Sequence, residues 1–284
     1  MNIGQFVAAE IIILLVLSSI EKIIIGLESL YDVLTSVEKI GQIADLKMED
    51  TSEADADYCF TNISITTENL RFKYPDSTDD ILSQISLQIE PSEKIYLDGV
   101  NGSGKTTLIR ILSGFIQPSS GSFFINDDTH RKIDLSQYRS QISIITQGET
   151  PFEGTVLENI TLNNPTISNE DIKWAIESVQ LGDYIKTLPN GLETKIFPDG
   201  RQLSSSNAQK ILLARSIASK PKILFYEDPL DKMDEIAAKE IIDFITNPSN
   251  KWTVIVSSKN NYWKKKCTRK ITMNNGHIIA DVKQ

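Results

Sequence analysis

The chain has 284 residues, 40% of them hydrophobic and 24% charged, a globular balance that excludes a disordered or collagen-like polymer. Its 38 acidic residues against 29 basic ones leave a net charge of −9, which argues against a nucleic-acid binder, because phosphate backbones need a basic face. Cys59 and Cys267 stand far apart without CxxC spacing, and His130 and His277 are the two histidines. Two reduced thiols and no zinc cluster are expected.

At the N-terminus, Ile11 to Ile20 carries no charge and is bounded by Glu10 and Glu21. A membrane span needs about 20 apolar residues, a length that 1–20 reaches only if Glu10 is tolerated inside. The segment does not read as a signal peptide, lacking a basic start and a small-residue cleavage site. Ile23, Ile24, Leu27, Leu30, Tyr31, Leu34, Val37, Ile40 and Ile43 then recur at helical spacing. No proline precedes Pro75, so the pattern predicts one helix from Gln5 to Ile43, roughly 60 Å long at ~1.5 Å per residue. Two readings stay open: a helix that leaves a bilayer and continues into water, or a soluble amphipathic helix packed on a partner. The acidic, small-residue stretch from Lys47 to Asp57 reads as an exposed linker. The expected division is 1–46 for the helical segment, 47–59 for the linker and 60–284 for the main domain.

From Ile63 the chain alternates apolar and polar residues over ISITTENLRFKY, ILSQISLQI and KIYLDG, a β pattern. The last of these strands runs into Gly99-Val-Asn-Gly-Ser-Gly-Lys-Thr106, with Leu108, Ile109, Ile111 and Leu112 following at helical spacing. This is the phosphate-binding GxxxxGK[ST] loop in its required strand–loop–helix context. Gly99, Asn101, Gly102, Ser103 and Gly104 would wrap a phosphate with inward N–H groups, aided by the positive end of the helix that holds Thr107. Lys105 would reach the outer phosphates and the Thr106 hydroxyl would ligate Mg²⁺. By average residue frequencies, a chance match in a chain of this length is on the order of one per cent.

The remaining motifs carry a family resemblance. Tyr74 in LRFKYP, Gln147 in ISIITQGETPFEGTVLENI, the run LSSSNAQKILLARSIASKPKILFYEDPLDKMD and the strand WTVIVSSKN occur in the order seen in ATP-binding cassettes. From Ile63 onward the chain resembles the cassette of an ABC transporter. The resemblance implies an α/β fold: a P-loop NTPase core, an antiparallel β subdomain and an inserted helical subdomain, preceded by the long N-terminal helix. It places Tyr74 on adenine, Gln147 on Mg²⁺ and the attacking water, and Glu227 on the metal through water. It makes Asp228 the water-orienting carboxylate, and Ser204 and Ser206 phosphate contacts across a dimer. Asp234 becomes the D-loop aspartate, and Ile172, Ala175, Ile176, Val179 and Ile185 belong to the helical insertion.

The implied ligands are ATP and Mg²⁺. The implied partners are a second cassette subunit and the transmembrane domain of an exporter, at the cytoplasmic face of the cell membrane. Residues 1–46 resemble the end of an exporter's last transmembrane helix. The resemblance therefore implies a truncated or split half-transporter, or an incomplete reading frame.

Four departures bear on chemistry. The signature LSGGQ reads Leu203-Ser-Ser-Ser-Asn207, which adds side chains where glycines allow close approach. The aspartate–glutamate pair of Walker B is reversed to Glu227–Asp228, so the second carboxylate is a methylene shorter. Lys259 occupies the switch-histidine position and, when protonated, has no acceptor lone pair. TKIFPDGRQ keeps Gly200 but lacks the exporter's acidic pattern.

The expectation is intact ATP binding with impaired hydrolysis. The alternatives are a working reversed pair, a non-hydrolysing partner or regulatory subunit, and a remnant of a split gene. Trp174, Trp252 and Trp263 read as core or surface anchors. Lys264 to Lys266 reads as a solvated basic face, and His277 as the start of a hairpin strand after a turn.

Overall fold

The computed structural model describes residues 2–46, 61–75, 77–126, 128–129 and 134–283; the expected linker at 47–59 with its Cys59, and His130, lie outside the described residues. The chain divides into two compact units, residues 1–51 and 52–284.

The first unit is one helix, α1 (Ile3–Ala44), with no buried residue. Proline-free sequence lets it run unbroken, and Asn2 with Gln5 forms a capping box at its start. Four of its hydroxyls bond within the helix. Ser18 and Ser19 donate to Leu15 O, Thr35 to Tyr31 O and Ser36 to Asp32 O. The helix is long and apolar enough to cross a membrane.

In the second unit, β1 (Ile65–Phe72), β2 (Leu82–Ile89), β4 (Ser120–Ile125) and β5 (Asp128–Thr129) form an antiparallel sheet in the order β2-β1-β4-β5. A second sheet holds β3 (Lys94–Asp98), β6 (Ile142–Ile145), β9 (Ile223–Glu227), β10 (Thr253–Ser257), β11 (Arg269–Asn274) and β12 (His277–Lys283). Its order is β12-β11-β3-β10-β9-β6, parallel throughout except for the β11–β12 hairpin. The parallel strands are apolar on both sides, as strands covered on two faces must be. Tyr96, Leu224, Tyr226, Val254 and Val256 join one core cluster. Their alternating neighbours Ile95, Leu97, Ile223, Phe225 and Ile255 join the other.

Helix α2 (Lys105–Leu112) follows β3 and buries Leu108, Ile109, Ile111 and Leu112 with the antiparallel sheet. Helix α3 (Leu135–Ser140) leads into β6. A two-stranded sheet of β7 (Gly154–Thr155) and β8 (Lys195–Ile196) brackets α4 (Val156–Thr161), α5 (Asn169–Ser178) and α6 (Gly182–Thr187). Ile172, Ala175, Ile176 and Val179 pack into the first cluster with α7 (Ser205–Ala218), and Ile185 lies against it. This is the inserted helical subdomain that the sequence implies. Helix α8 (Glu235–Thr246) is capped by Asp234, whose carboxylate accepts from Ala237 N at 2.9 Å.

Trp263 and Trp252 are buried, and Trp174 packs on the rings of Phe244 and Trp252. The basic run on α9 (Asn261–Lys266) departs from a purely solvated face. Lys264 pairs with Asp98 at 3.8 Å, and Lys266 pairs with Asp243 at 2.7 Å and lies over the Tyr262 ring.

The β11–β12 hairpin turns through Asn275 (φ 46°) and Gly276 (φ 75°), the left-handed pair that two-residue hairpins favour. Gly276 N donates to Ser103 O in the phosphate loop, and its carbonyl accepts from Ser83 N at 2.9 Å. A Cβ here would stand 2.4 Å from Ile81 O. The turn thus braces the loop from the sheet edge. Gly276→Ala is expected to destabilise the second unit by about 1–3 kcal/mol, read as a lower urea midpoint at unchanged m-value.

Candidate nucleotide-binding site

Strands β3, β10, β9 and β6 are neighbours and run the same way, so the segments leaving their C-terminal ends meet on one side of the sheet. Ligands of open α/β sheets bind there. The segment after β3 is the glycine loop, that after β9 carries Asp228, that after β10 carries Lys259, and that after β6 carries Gln147.

The loop needs its glycines. Gly99, Gly102 and Gly104 have φ of 145°, 79° and 97°, and Gly104 is the N-cap of α2. A Cβ on Gly99 would stand 2.4 Å from Met273 O, whereas one on Gly102 would meet nothing within 4 Å. The loop is therefore tight against the protein behind and open at its front. Lys105 Nζ donates to Gly99 O at 2.7 Å, Val100 O at 2.9 Å and Ser103 Oγ at 3.2 Å, which folds the ammonium back onto the loop. Burial pulls this ammonium below the ordinary lysine range, opposed by the charges of Asp98, Asp228 and Glu227.

A cleft of about 520 Å³ joins these pieces. Of the sequence-predicted residues it brings together Tyr74, Gly99, Asn101, Gly102, Ser103 and Gly104 with Lys105, Thr106 and Thr107. Gln147, Glu227, Asp228 and Lys259 line it as well. Ser204 and Ser206 do not line the cleft. They stand at the start of α7, where the Ser204 hydroxyl accepts from Asn207 N at 3.2 Å and caps the helix.

Glu227 is buried at 6% exposure and its Oε1 has no protein hydrogen-bond partner. An unsatisfied carboxylate oxygen is costly away from water, so this acid, on the same cleft as Thr106, suits a cation reached directly or through water. The residues present thus fit a magnesium–phosphate ligand. Asp228 sits at φ 44°, and its Oδ1 accepts the main-chain N–H of Lys259 at 2.7 Å. One carboxylate oxygen is thereby committed to the switch segment.

Several residues of the site had no motif to announce them. Tyr96 lines the cleft and its hydroxyl donates to Ser258 O at 2.6 Å. Asp98 accepts from Gly99 N at 2.8 Å, and its hydrogen bond from Lys270 holds its carboxyl below the usual range. Their signal was position alone, at the end of the strand that enters the glycine loop.

Arg215 on α7 ties the signature helix to the segment after Gln147. It donates to Asn159 O at 2.6 Å, Asn159 Oδ1 at 2.9 Å and Glu149 Oε1 at 3.0 Å, and lies over the Phe152 ring. The forked geometry uses the planar guanidinium, which an ammonium does not match.

Fold and site together define a P-loop cassette of the nucleotide-binding type. Residues 82–231 match the ABC transporter family. The chain is 30% identical, over 78% of its length, to the mesentericin-Y105 transport/processing ATP-binding protein MesD of Leuconostoc mesenteroides, covering 30% of that protein. It is 28% identical, over 99% of its length, to the alpha-hemolysin translocation ATP-binding protein HlyB of Escherichia coli O157:H7, covering 40% of that protein. The solved structure of a bacterial Atm1-family ABC exporter with ATP bound shares the fold, with TM-score 0.80 and 21% identity over 88% of this chain and 44% of that one. The chain belongs to the ABC transporter family, and it spans 40% or less of these curated relatives.

Arg215→Met is expected to lower stability by about 1–3 kcal/mol, since it removes the Glu149 ion pair and leaves Asn159 O without its side-chain donor, while Asn159 Oδ1 keeps Phe152 N. Arg215→Lys should recover less than half of that loss in the same urea titration.

Proposed function

We propose that this chain is the ATP-binding part of an exporter-type ABC transporter. In this reading it binds Mg·ATP, pairs with a second cassette and drives a transmembrane domain from the cytoplasmic face of the membrane, with slow hydrolysis. The observation that carries it is the convergence of Lys105, Thr106, Gln147 and the unpartnered Glu227 oxygen on one cleft fronted by a glycine loop. Tyr74 supplies the adenine platform, the loop N–H groups and Lys105 hold phosphates, and Thr106, Gln147 and Glu227 hold Mg²⁺. When bound, the cation neutralises phosphate charge that the acidic residues of the cleft would otherwise repel.

The apolar α1 supports the membrane side of the reading, as do the transport functions named for the relatives. We keep 1–46, 47–59 and 60–284 as the segment, linker and cassette. Ser204, with the helix start behind it, is the surface offered to the other subunit's nucleotide. A ligand that binds between two cassettes closes them only through its higher affinity for the closed pair.

Slow hydrolysis is favoured by the reversed acids. General-base catalysis needs a carboxylate within about 2.6–3.2 Å of the water or one water removed, and is worth roughly 10²–10⁴ in rate. Asp228 is a methylene short and has one oxygen on the Lys259 amide. The same observation favours a second reading, a nucleotide-binding partner subunit that does not turn over.

Calorimetry and phosphate-release assays on the full chain test both readings. Lys105→Ala is expected to weaken Mg·ATP binding by roughly tenfold to a hundredfold, the worth of its charge-assisted bonds. The exchange Glu227→Asp with Asp228→Glu is expected to raise phosphate release at least about tenfold. Rapid turnover by the unaltered chain, abolished by Asp228→Asn, would overturn slow hydrolysis. Absence of Mg·ATP affinity would overturn the nucleotide reading itself.

A further inference from the structure

The glycine loop is entered through an acid. Asp98 ends β3 and lines the cleft. Its Oδ1 accepts the Gly99 N–H at 2.8 Å, and its Oδ2 receives Lys270 at 2.7 Å and Lys264 at 3.8 Å. One oxygen thus holds the loop and the other meets lysines. Holding the loop needs an acceptor and no charge, since a side-chain amide oxygen would accept the same N–H.

The charge is nevertheless present and felt inside the site. The Lys270 hydrogen bond, ahead of any other influence, holds the Asp98 carboxyl below the usual range, so it is ionised at neutral pH. Burial lowers the Lys105 ammonium, and of the three acids that oppose this Asp98 acts most strongly, ahead of Asp228 and Glu227. An ionised acid whose field reaches Lys105 also reaches a phosphate beside Lys105, and repels it. The counter-charges come from outside the cleft, since neither Lys264 nor Lys270 lines it. In the parallel register of β11 on β3, Lys270 stands opposite Tyr96 and Thr272 opposite Asp98. Residues two apart on a strand share a face, so β11 delivers Lys270 to the face that carries Asp98. Lys264 arrives from α9.

We propose that Lys270, seconded by Lys264, sets the affinity of the cleft for a polyphosphate by cancelling the Asp98 charge at the entry to the glycine loop. Lys270 is a positioning residue and not a ligand contact: it holds Asp98 Oδ2 and supplies the opposite charge. The proposal rests on the nucleotide-binding reading above. Removing the ammonium leaves a surplus negative charge beside the loop, removing the acid leaves a surplus positive one, and removing both restores the balance. A purely structural tie behaves otherwise. A second substitution does not repair a strand displaced by the first, and salt has no part in the loss.

The experiment measures Mg·ATP affinity of the full chain by calorimetry, at low salt and at about 0.5 M KCl, where the Debye length shrinks to about 4 Å. At low salt Lys270→Met is expected to weaken binding about fivefold, and at high salt by less than about twofold. Lys270→Arg keeps the charge and should stay within about twofold of the unaltered chain at both. Asp98→Asn should tighten binding about threefold at low salt, and the double variant Asp98→Asn with Lys270→Met should return to within about twofold of the unaltered chain. Lys264→Met, at the longer distance, should weaken binding about twofold to threefold and be restored by Asp98→Asn; it lies off the sheet and reads the same charge where Lys270→Met disturbs folding. A double variant as weak as Lys270→Met would overturn the proposal. So would a loss that salt leaves unchanged, a Lys270→Arg chain as weak as Lys270→Met, or a Lys270→Met chain of undiminished affinity. In each of those cases the unaltered chain still binds Mg·ATP and the nucleotide reading stands, whereas an unaltered chain without Mg·ATP affinity sinks both.

Discussion

The parallel register of β3, β10 and β9 is the constraint on which the site depends. Val256 lies opposite Tyr96, and Ser257 opposite Glu227, so three strands end within a residue or two of one another. Residues more than 150 positions apart in sequence are thereby delivered to one edge. The register is fixed by burial on both sides of the sheet. A slip by one residue would exchange Ile255 with its neighbours and send the wrong side chains to each cluster. Chemistry at the strand ends is thus inherited from packing inside the sheet.

On that frame the electrostatics are organised in pairs. Asp98 enters the glycine loop with a negative charge, which would oppose phosphates, but Lys270 at 2.7 Å and Lys264 at 3.8 Å take it up. Glu227 and Asp228 then remain the acids of the cleft, with Lys105 and Lys259 as its cations. Glu227 leaves an oxygen without a protein partner, and Asp228 gives one to a backbone amide. Reversing the family's two acids therefore does more than shift a methylene. It puts the longer side chain on the buried strand end and the shorter one on the left-handed turn, within reach of the switch segment.

The sheet strands, the glycine loop and the helical insertion were legible because each repeats a period or fills a spaced pattern. Apolar–polar alternation marked β1 and β2, the family resemblance placed β9, and Gly99 to Thr106 met a fixed spacing. Tyr96, Asp98, Arg215 and the Asp228–Lys259 bond were not legible. Each joins a side chain to the backbone or side chain of a segment distant in sequence, and such bonds have no period. The lysine run shows the same limit: its composition suggested solvent, but the fold supplied Asp98 and Asp243 as partners. Sequence pattern reports which way a residue faces, and the partner it finds there depends on topology.

The helix α1 poses the opposite case, a segment whose pattern is plain and whose apolar side chains are exposed. Apolar residues cover it from Ile3 to Ile43, and every one is exposed. A helix apolar around its circumference is stable only where something apolar surrounds it. Ser18, Ser19 and Thr35 suit such surroundings, since each returns its hydroxyl hydrogen to a carbonyl three or four residues back. In water those bonds would compete with solvent and add little, whereas in hydrocarbon an unpaired hydroxyl is penalised and the internal bond is required. In a bilayer, Glu10 and Glu21 would limit how deep either end of the run sits. The helix and the cleft thus share a device, a side-chain oxygen bonded to nearby main chain, in Ser18, Ser19 and Thr35 of α1 as in Asp228 on the Lys259 amide.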